Sequence, residues 1–206
     1  MSAVFETIDK SSSKALFGIP EAQVHSWTVR DYYKMFEAGL FEGMQVELIG
    51  GQIIEMSAMG AEQATTVTLA AKALEKGFER IFFVRSQMSL NAGNDAEPQP
   101  DIAMVKGNVR DYKNAHPKTA ALIVEVADSS LKFDRTVKGS IYARAGIKDY
   151  WIINIKDRRL EIYRKPQEDE TQPFGFGYSE IKILTESDSI KPLAARKEIK
   201  VADLLP

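Results

Sequence analysis

The stretch ALIVEVA, residues 121–127, constrains this chain more than any other. Strand alternation puts Leu122, Val124 and Val126 on one face and Ala121, Ile123, Glu125 and Ala127 on the other. Both faces are otherwise apolar, which is the pattern of a strand covered on both sides. A carboxylate at Glu125 would be costly to ionise there without a partner. The sequence therefore asks what sits opposite it.

The neighbouring segments supply a sheet and helices around this strand. Thr28 is placed to cap a helix through VRDYYKMFEAG, with Asp31 in its first turn and Gly39 near its end. GMQVELIGGQIIEMS reads as a hairpin turning at Gly50-Gly51. A helical stripe of Val67, Ala70, Ala71 and Leu74 predicts a helix from Glu62 to about Phe78. Strands are expected over 80–90, 100–105 and 121–126, then a helix from Asp134 to Ala145 ending at Gly146. A hairpin follows over 149–164 with a turn near Asp157, and the tail closes in a last strand or short helix at LLP. Tyr150 and Trp151 alternate into that hairpin as core residues. This order implies an α/β (α+β) fold, a mixed β-sheet flanked by helices with additional hairpins. The expected division is an N-terminal arm over 1–26, Ser-rich in its middle, and a single domain over 27–206.

Composition enters through what it removes. The chain of 206 residues has no cysteine, which excludes disulfides, thiolate zinc sites and cysteine nucleophiles. Its two histidines, His25 and His116, stand in no metal-ligand spacing, so any bound metal needs oxygen ligands. A net charge of −2 carries no global signature of a nucleic-acid binder. No signal peptide or apolar span is evident, so the expectation is a cytoplasmic protein without membrane attachment.

Pairing decides what faces Glu125. If strands 100–105 and 121–126 are antiparallel neighbours with Lys106 across from Ala120, Asp101 falls directly opposite Glu125. A slip of two residues would put the carboxylates on a diagonal instead. Directly opposed residues share a face with Cβ atoms roughly 5 Å apart, where like charges destabilise. A raised pKa or a divalent cation between the two would relieve the crowding. On the following helix Asp134, Lys138 and Tyr142 share one side, beside an apolar stripe of Val137, Ile141 and Ala145. Lys138 is thus expected at the edge of the buried face, within reach of the carboxylates. Its alternative is an exposed ion pair with Asp134, worth about 0.2–0.5 kcal/mol. Arg158 and Arg159 read as a solvated turn. Ser129 and Ser130 have no histidine at a triad spacing, and the glycines of FGFGY lack a phosphate-loop context.

The blocks TVRDYYKM, VELIGGQIIEMS, PQPDIAMV and ALIVEVADSSLKFDRTVKGSIYARAGIKDYWIINIKDRRLEIYR together resemble the Uma2 family over residues 27 to 164, and the resemblance fades over the last forty. Members of that family resemble PD-(D/E)XK nucleases with a restriction-endonuclease-like core. The resemblance implies that Asp101 and Glu125 are the metal-binding carboxylates, with Mg2+ or Mn2+ as cofactor. The usual lysine two residues beyond the second carboxylate is Ala127 here, and Lys138 of the next helix would take its place. Glu47 matches a family glutamate and would be a further catalytic or metal ligand. Gln63 stands where many relatives carry histidine, and Asp128 where many carry serine. The implied activity is a metal-dependent DNA endonuclease working as a homodimer, with DNA as substrate. Two other readings stay open: a catalytically silent module binding nucleic acid or a protein, and a purely structural calcium-type site.

Overall fold

In a computed structural model describing residues 24–206, the framework is a six-stranded mixed sheet. Residues 1–23, most of the expected arm, lie outside the described residues. Its strands are β3 (Phe82–Arg85), β4 (Ile102–Lys106), β5 (Leu122–Ala127), β6 (Asp149–Asn154), β7 (Arg159–Glu168) and β8 (Phe176–Thr185), adjacent in that order. β5 and β6 run parallel, and every other neighbouring pair is antiparallel. Two small hairpin sheets are added: β1 (Val46–Ile49) with β2 (Gln52–Glu55), and β9 (Ser189–Ile190) with β10 (Ile199–Lys200).

Among the described residues, three longer helices complete the fold. α1 (Val29–Glu37) begins at a capping box, in which Thr28 Oγ1 accepts from Asp31 N and Asp31 accepts from the Thr28 amide. α2 is Ala61–Gly77. α3 spans residues 131–144 and starts three residues earlier than its period suggested. It runs as α-helix (Leu131–Phe133), one π turn (Asp134–Lys138) and α-helix again (Gly139–Arg144). Because β5 and β6 are parallel, a crossover must join them, and α3 is that crossover. Among the described residues no helix is long and apolar enough to cross a membrane.

The two faces of β5 explain its apolar composition. Leu122, Val124 and Val126 pack with Val67, Ala70 and Leu74 of α2 and with Val201 and Leu204 of the C-terminal segment. Ile123 and Ala127 pack on the opposite face with Tyr142 of α3 and with Tyr150 and Ile152 of β6. Burial on both sides leaves every residue of β5 inaccessible, Glu125 included. Tyr150 and Trp151 are core residues, as their alternation indicates.

Beyond α3 lie α1 and the β1–β2 hairpin. Val46 and Leu48 pack toward Tyr32, while Ile49 packs toward Ile141. Strand alternation therefore turns Glu47, like Ile49, toward α3. The hairpin turn needs positive φ at both central residues, and Gly50 and Gly51 supply +57° and +77°. A Cβ at Gly51 would also come within 2.0 Å of Ser26 Oγ.

The strand expected over 80–90 is cut to Phe82–Arg85. At Gln87 the backbone turns into the left-handed region (φ 54°), and its amide bonds to the carbonyls of Pro100 and Asp101. That turn removes the rest of the segment from the ladder.

Candidate active site

The site begins where the β4–β5 ladder ends. Ile102 pairs with Val124, Ala103 with Ile123 and Met104 with Leu122. Continuing that register by one residue sets Asp101 opposite Glu125, the arrangement the spacing anticipated. Their side chains complete the ladder with crossed bonds. The Asp101 amide donates to Glu125 Oε2 (3.2 Å), and the Val126 amide donates to Asp101 Oδ2 (2.8 Å). Each carboxylate is thus fixed by the other's strand.

Lys138 answers the question posed by Glu125. Its ammonium lies 3.1 Å from Glu125 Oε1 and 3.3 Å from Glu47 Oε1, bridging the sheet and the β1 strand. Only 3% of Lys138 is exposed, so it lies inside the buried face and not at its edge. Nor is it the surface partner of Asp134. Burial alone would depress its pKa, but the Glu125 and Glu47 carboxylates outweigh that and hold it above the ordinary lysine value. Tyr142 Oη donates to the same Glu125 Oε1 at 2.6 Å. Burial, and then Glu125, raise the Tyr142 hydroxyl well above its usual range, so it stays a donor.

The π turn shapes this geometry. The Gly139 amide closes it on the Asp134 carbonyl, and Tyr150 Oη also donates to that carbonyl at 2.9 Å. Within the turn both Asp134 and Lys138 are buried, while Arg135 between them reaches Glu161 on β7. Asp134 Oδ2 accepts from Ser130 Oγ at 2.5 Å. Asp134 thus joins Glu47, Asp101 and Glu125 around Lys138, a member that sequence reasoning had seen only as an ion-pair partner. Its place on the same helical side as Lys138 and Tyr142 was the available signal.

Four carboxylates surround one cation, and the imbalance shows in their protonation. Burial, reinforced by Glu125, pushes both Asp101 and Asp134 up to about 7. Burial also raises Glu47, against the opposing pull of Lys138. Glu47 Oε2 is buried with no hydrogen-bond partner among the described residues. Buried charges are ordinarily paired or bound to metal, and among the described residues this oxygen is neither.

The donors fit a hard divalent ion, being oxygens throughout. Among the described residues, no three acidic or histidine side chains form a ready-made metal cage. The oxygens in closest register are those of Asp101 and Glu125. Gln63, on the first turn of α2, donates its amide to the Val126 carbonyl at 3.0 Å, holding the strand immediately beside Glu125. Asp128 lies outside the cluster and forms an exposed ion pair with Lys156.

The model of the Uma2 family, described as "Putative restriction endonuclease", matches residues 29–199. The chain belongs to the Uma2 family. The match takes in Glu47, Asp101, Glu125 and Lys138, and it continues well past residue 164, where the sequence blocks fade. The fold is similar to a crystal structure of "a putative nuclease belonging to DUF820" from Anabaena variabilis. That comparison has a TM-score of 0.59 and 16% identity, covering 79% of this chain and 90% of the other. At that identity the likeness is one of fold. No curated protein matches the chain.

Proposed function

We propose that this Uma2 protein is a metal-dependent endonuclease that hydrolyses phosphodiester bonds in DNA. The observation that carries the reading is a surplus of buried carboxylates around one lysine, built at the end of two paired central strands. Asp101 and Glu125 would hold Mg2+ or Mn2+, with Glu47 Oε2 as a further oxygen. A metal bound there would polarise a phosphate oxygen and lower the pKa of a coordinated water.

The protein's own groups divide the remaining work. Lys138 carries a fixed positive charge in a dry environment, suited to stabilising the negative charge that builds on the phosphate oxygens during attack. Glu47 and Glu125 hold its ammonium on both sides, so it is aimed before substrate arrives. Tyr142 fixes the Glu125 carboxylate, and Gln63 steadies the adjoining peptide. The lysine enters from a helix and not from β5, so Ala127 is free to pack in the core.

The test is cleavage of plasmid and single-stranded DNA with Mg2+ or Mn2+ by wild type, Asp101→Asn and Lys138→Ala. The reading expects metal-dependent cleavage that both substitutions abolish while the proteins stay folded. No cleavage with either metal, or activity indifferent to both substitutions, would favour a catalytically silent binding module.

A further inference from the structure

Among the described residues, Arg85 is a cation without an anion. Three arginines among the described residues are half-buried: Arg85, Arg144 and Arg164. Arg144 forks onto Asp95 and Arg164 onto Asp149. Arg85 has no carboxylate within ion-pair distance among the described residues. Its Nη2 bonds to His116 Nδ1 at 3.0 Å, and its Nε is buried without a partner among the described residues. A half-buried guanidinium whose Nε is shut off from both water and an acceptor is an unfavourable arrangement unless something completes it.

Its position says what would complete it. Arg85 is opposite Ala103 on β4, and Ala103 is opposite Ile123 on β5. Ala103 and Ile123 belong to the face that packs on Tyr142, the face from which Glu125 reaches that tyrosine. Asp101 is two residues before Ala103, so Arg85 is diagonal to it, with Cα atoms roughly 7–8 Å apart. Arg85 therefore stands one strand away from Asp101 on the face that carries Glu125. An arginine only donates, so His116 Nδ1 accepts and Nε2 carries the proton. The Tyr33 ring stacks on that imidazole with centroids 6.3 Å apart and planes 15° apart, and Tyr33 Oη is tied to Glu97. Arg85 and His116 thus present a planar fork and a second N–H donor from rigid supports, and both remain partly open to solvent.

Resting on the nuclease reading, we propose that Arg85 and His116 grip a phosphodiester of the bound DNA strand, next to the phosphate held at the acidic cluster. Paired N–H donors on a fork match the oxygens of a phosphate, which a lysine at that position would not reproduce. The carboxylate surplus would repel a DNA backbone, and a cation one strand away offsets that repulsion where the strand enters.

The experiment measures binding in an Asp101→Asn background, where cleavage does not interfere. Fluorescein-labelled duplex is titrated across a series of salt concentrations with Arg85→Ala, Arg85→Lys and His116→Ala added in turn. Arg85→Ala is expected to weaken binding about tenfold and to make the salt dependence of log K shallower by about 0.9, the share of one phosphate contact. Arg85→Lys keeps the slope but still loses several-fold in affinity, and His116→Ala weakens binding with the slope unchanged. If Arg85→Ala does not fold, Arg85→Lys decides: unchanged affinity overturns the grip. Binding and slope that both survive Arg85→Ala also overturn it, while leaving the nuclease reading intact. Absence of any DNA binding by the Asp101→Asn protein takes down both. Thermal stabilisation by inorganic phosphate that depends on Arg85, with DNA binding unaffected, would replace the grip by a free-anion site.

Discussion

Two buried charge clusters lie on the same sheet, and they are built on opposite principles. Asp149, at the start of β6, is fully buried and fully used. Its Oδ1 accepts from Trp151 Nε1 and Arg164 Nε, and its Oδ2 from Arg164 Nη2 and the Leu193 amide. One negative charge meets one positive charge, and the result ties β6, β7 and the C-terminal segment together. Around Lys138, two carboxylates contact one ammonium and two more lie nearby, three of the four are pushed toward neutrality, and one buried oxygen has no partner among the described residues. Charge balance marks the first as a structural tie. Its absence sets the second apart and is what the proposed metal site rests on.

The largest effect should come from removing the central cations and anions of the two clusters. Lys138→Met is expected to cost about 3–5 kcal/mol at pH 8 in urea unfolding, and less at pH 5.5, where the stranded carboxylates take up protons. Asp149→Asn, which leaves Arg164 unpaired, should cost a comparable amount that added Mg2+ does not change. Equal, pH-independent losses at Lys138 would erase the contrast between the clusters.

Next in size is the pH dependence of the metal-free protein. Asp101 and Asp134 ionise near 7 when folded, against an ordinary value of 3.8. Between those values the folded state holds protons that the unfolded chain has released. Their contribution to stability is therefore complete below about pH 4 and is lost as the pH rises through about 7. Mg2+ at pH 8 should restore about 2.7 kcal/mol when present at a hundred times its Kd. Urea midpoints at pH 5 and pH 8, with and without Mg2+, measure both; a metal-free midpoint that climbs from pH 5 to pH 8 contradicts the account. The smallest effect is expected for Tyr142→Phe, which removes one hydrogen bond to Glu125. It should cost about 1–3 kcal/mol and slow cleavage without abolishing metal binding, checked by urea midpoint and kcat.

Much of this was legible from residues 100–126. The doubly apolar pattern of β5 set its burial, and the antiparallel pairing of two short strands left few registers that keep both faces apolar. Asp101 and Glu125 therefore met where the spacing put them. Lys138 was legible as a candidate but not as a buried residue, because helical periodicity assumes a regular α-helix and the π turn departs from it. Asp134 escaped for the same reason. Glu47 was ambiguous because a four-residue strand in a hairpin gives no sign that α1 will cover one side and α3 the other. Arg85 carried no signal at all, since its isolation depends on which carboxylates the fold brings near. The shortened β3 likewise rests on a single left-handed residue, Gln87, whose type does not announce that conformation.

The most direct measurement is the anomalous difference density of a crystal of this protein soaked in Mn2+. The account predicts a single strong peak between Asp101 and Glu125, at about 2.0–2.2 Å from an oxygen of each, with Lys138 still beside Glu47. No peak there, with the carboxylates and Lys138 unmoved, would mean that the cluster is a closed structural network, and the case for a nuclease site would fall with it.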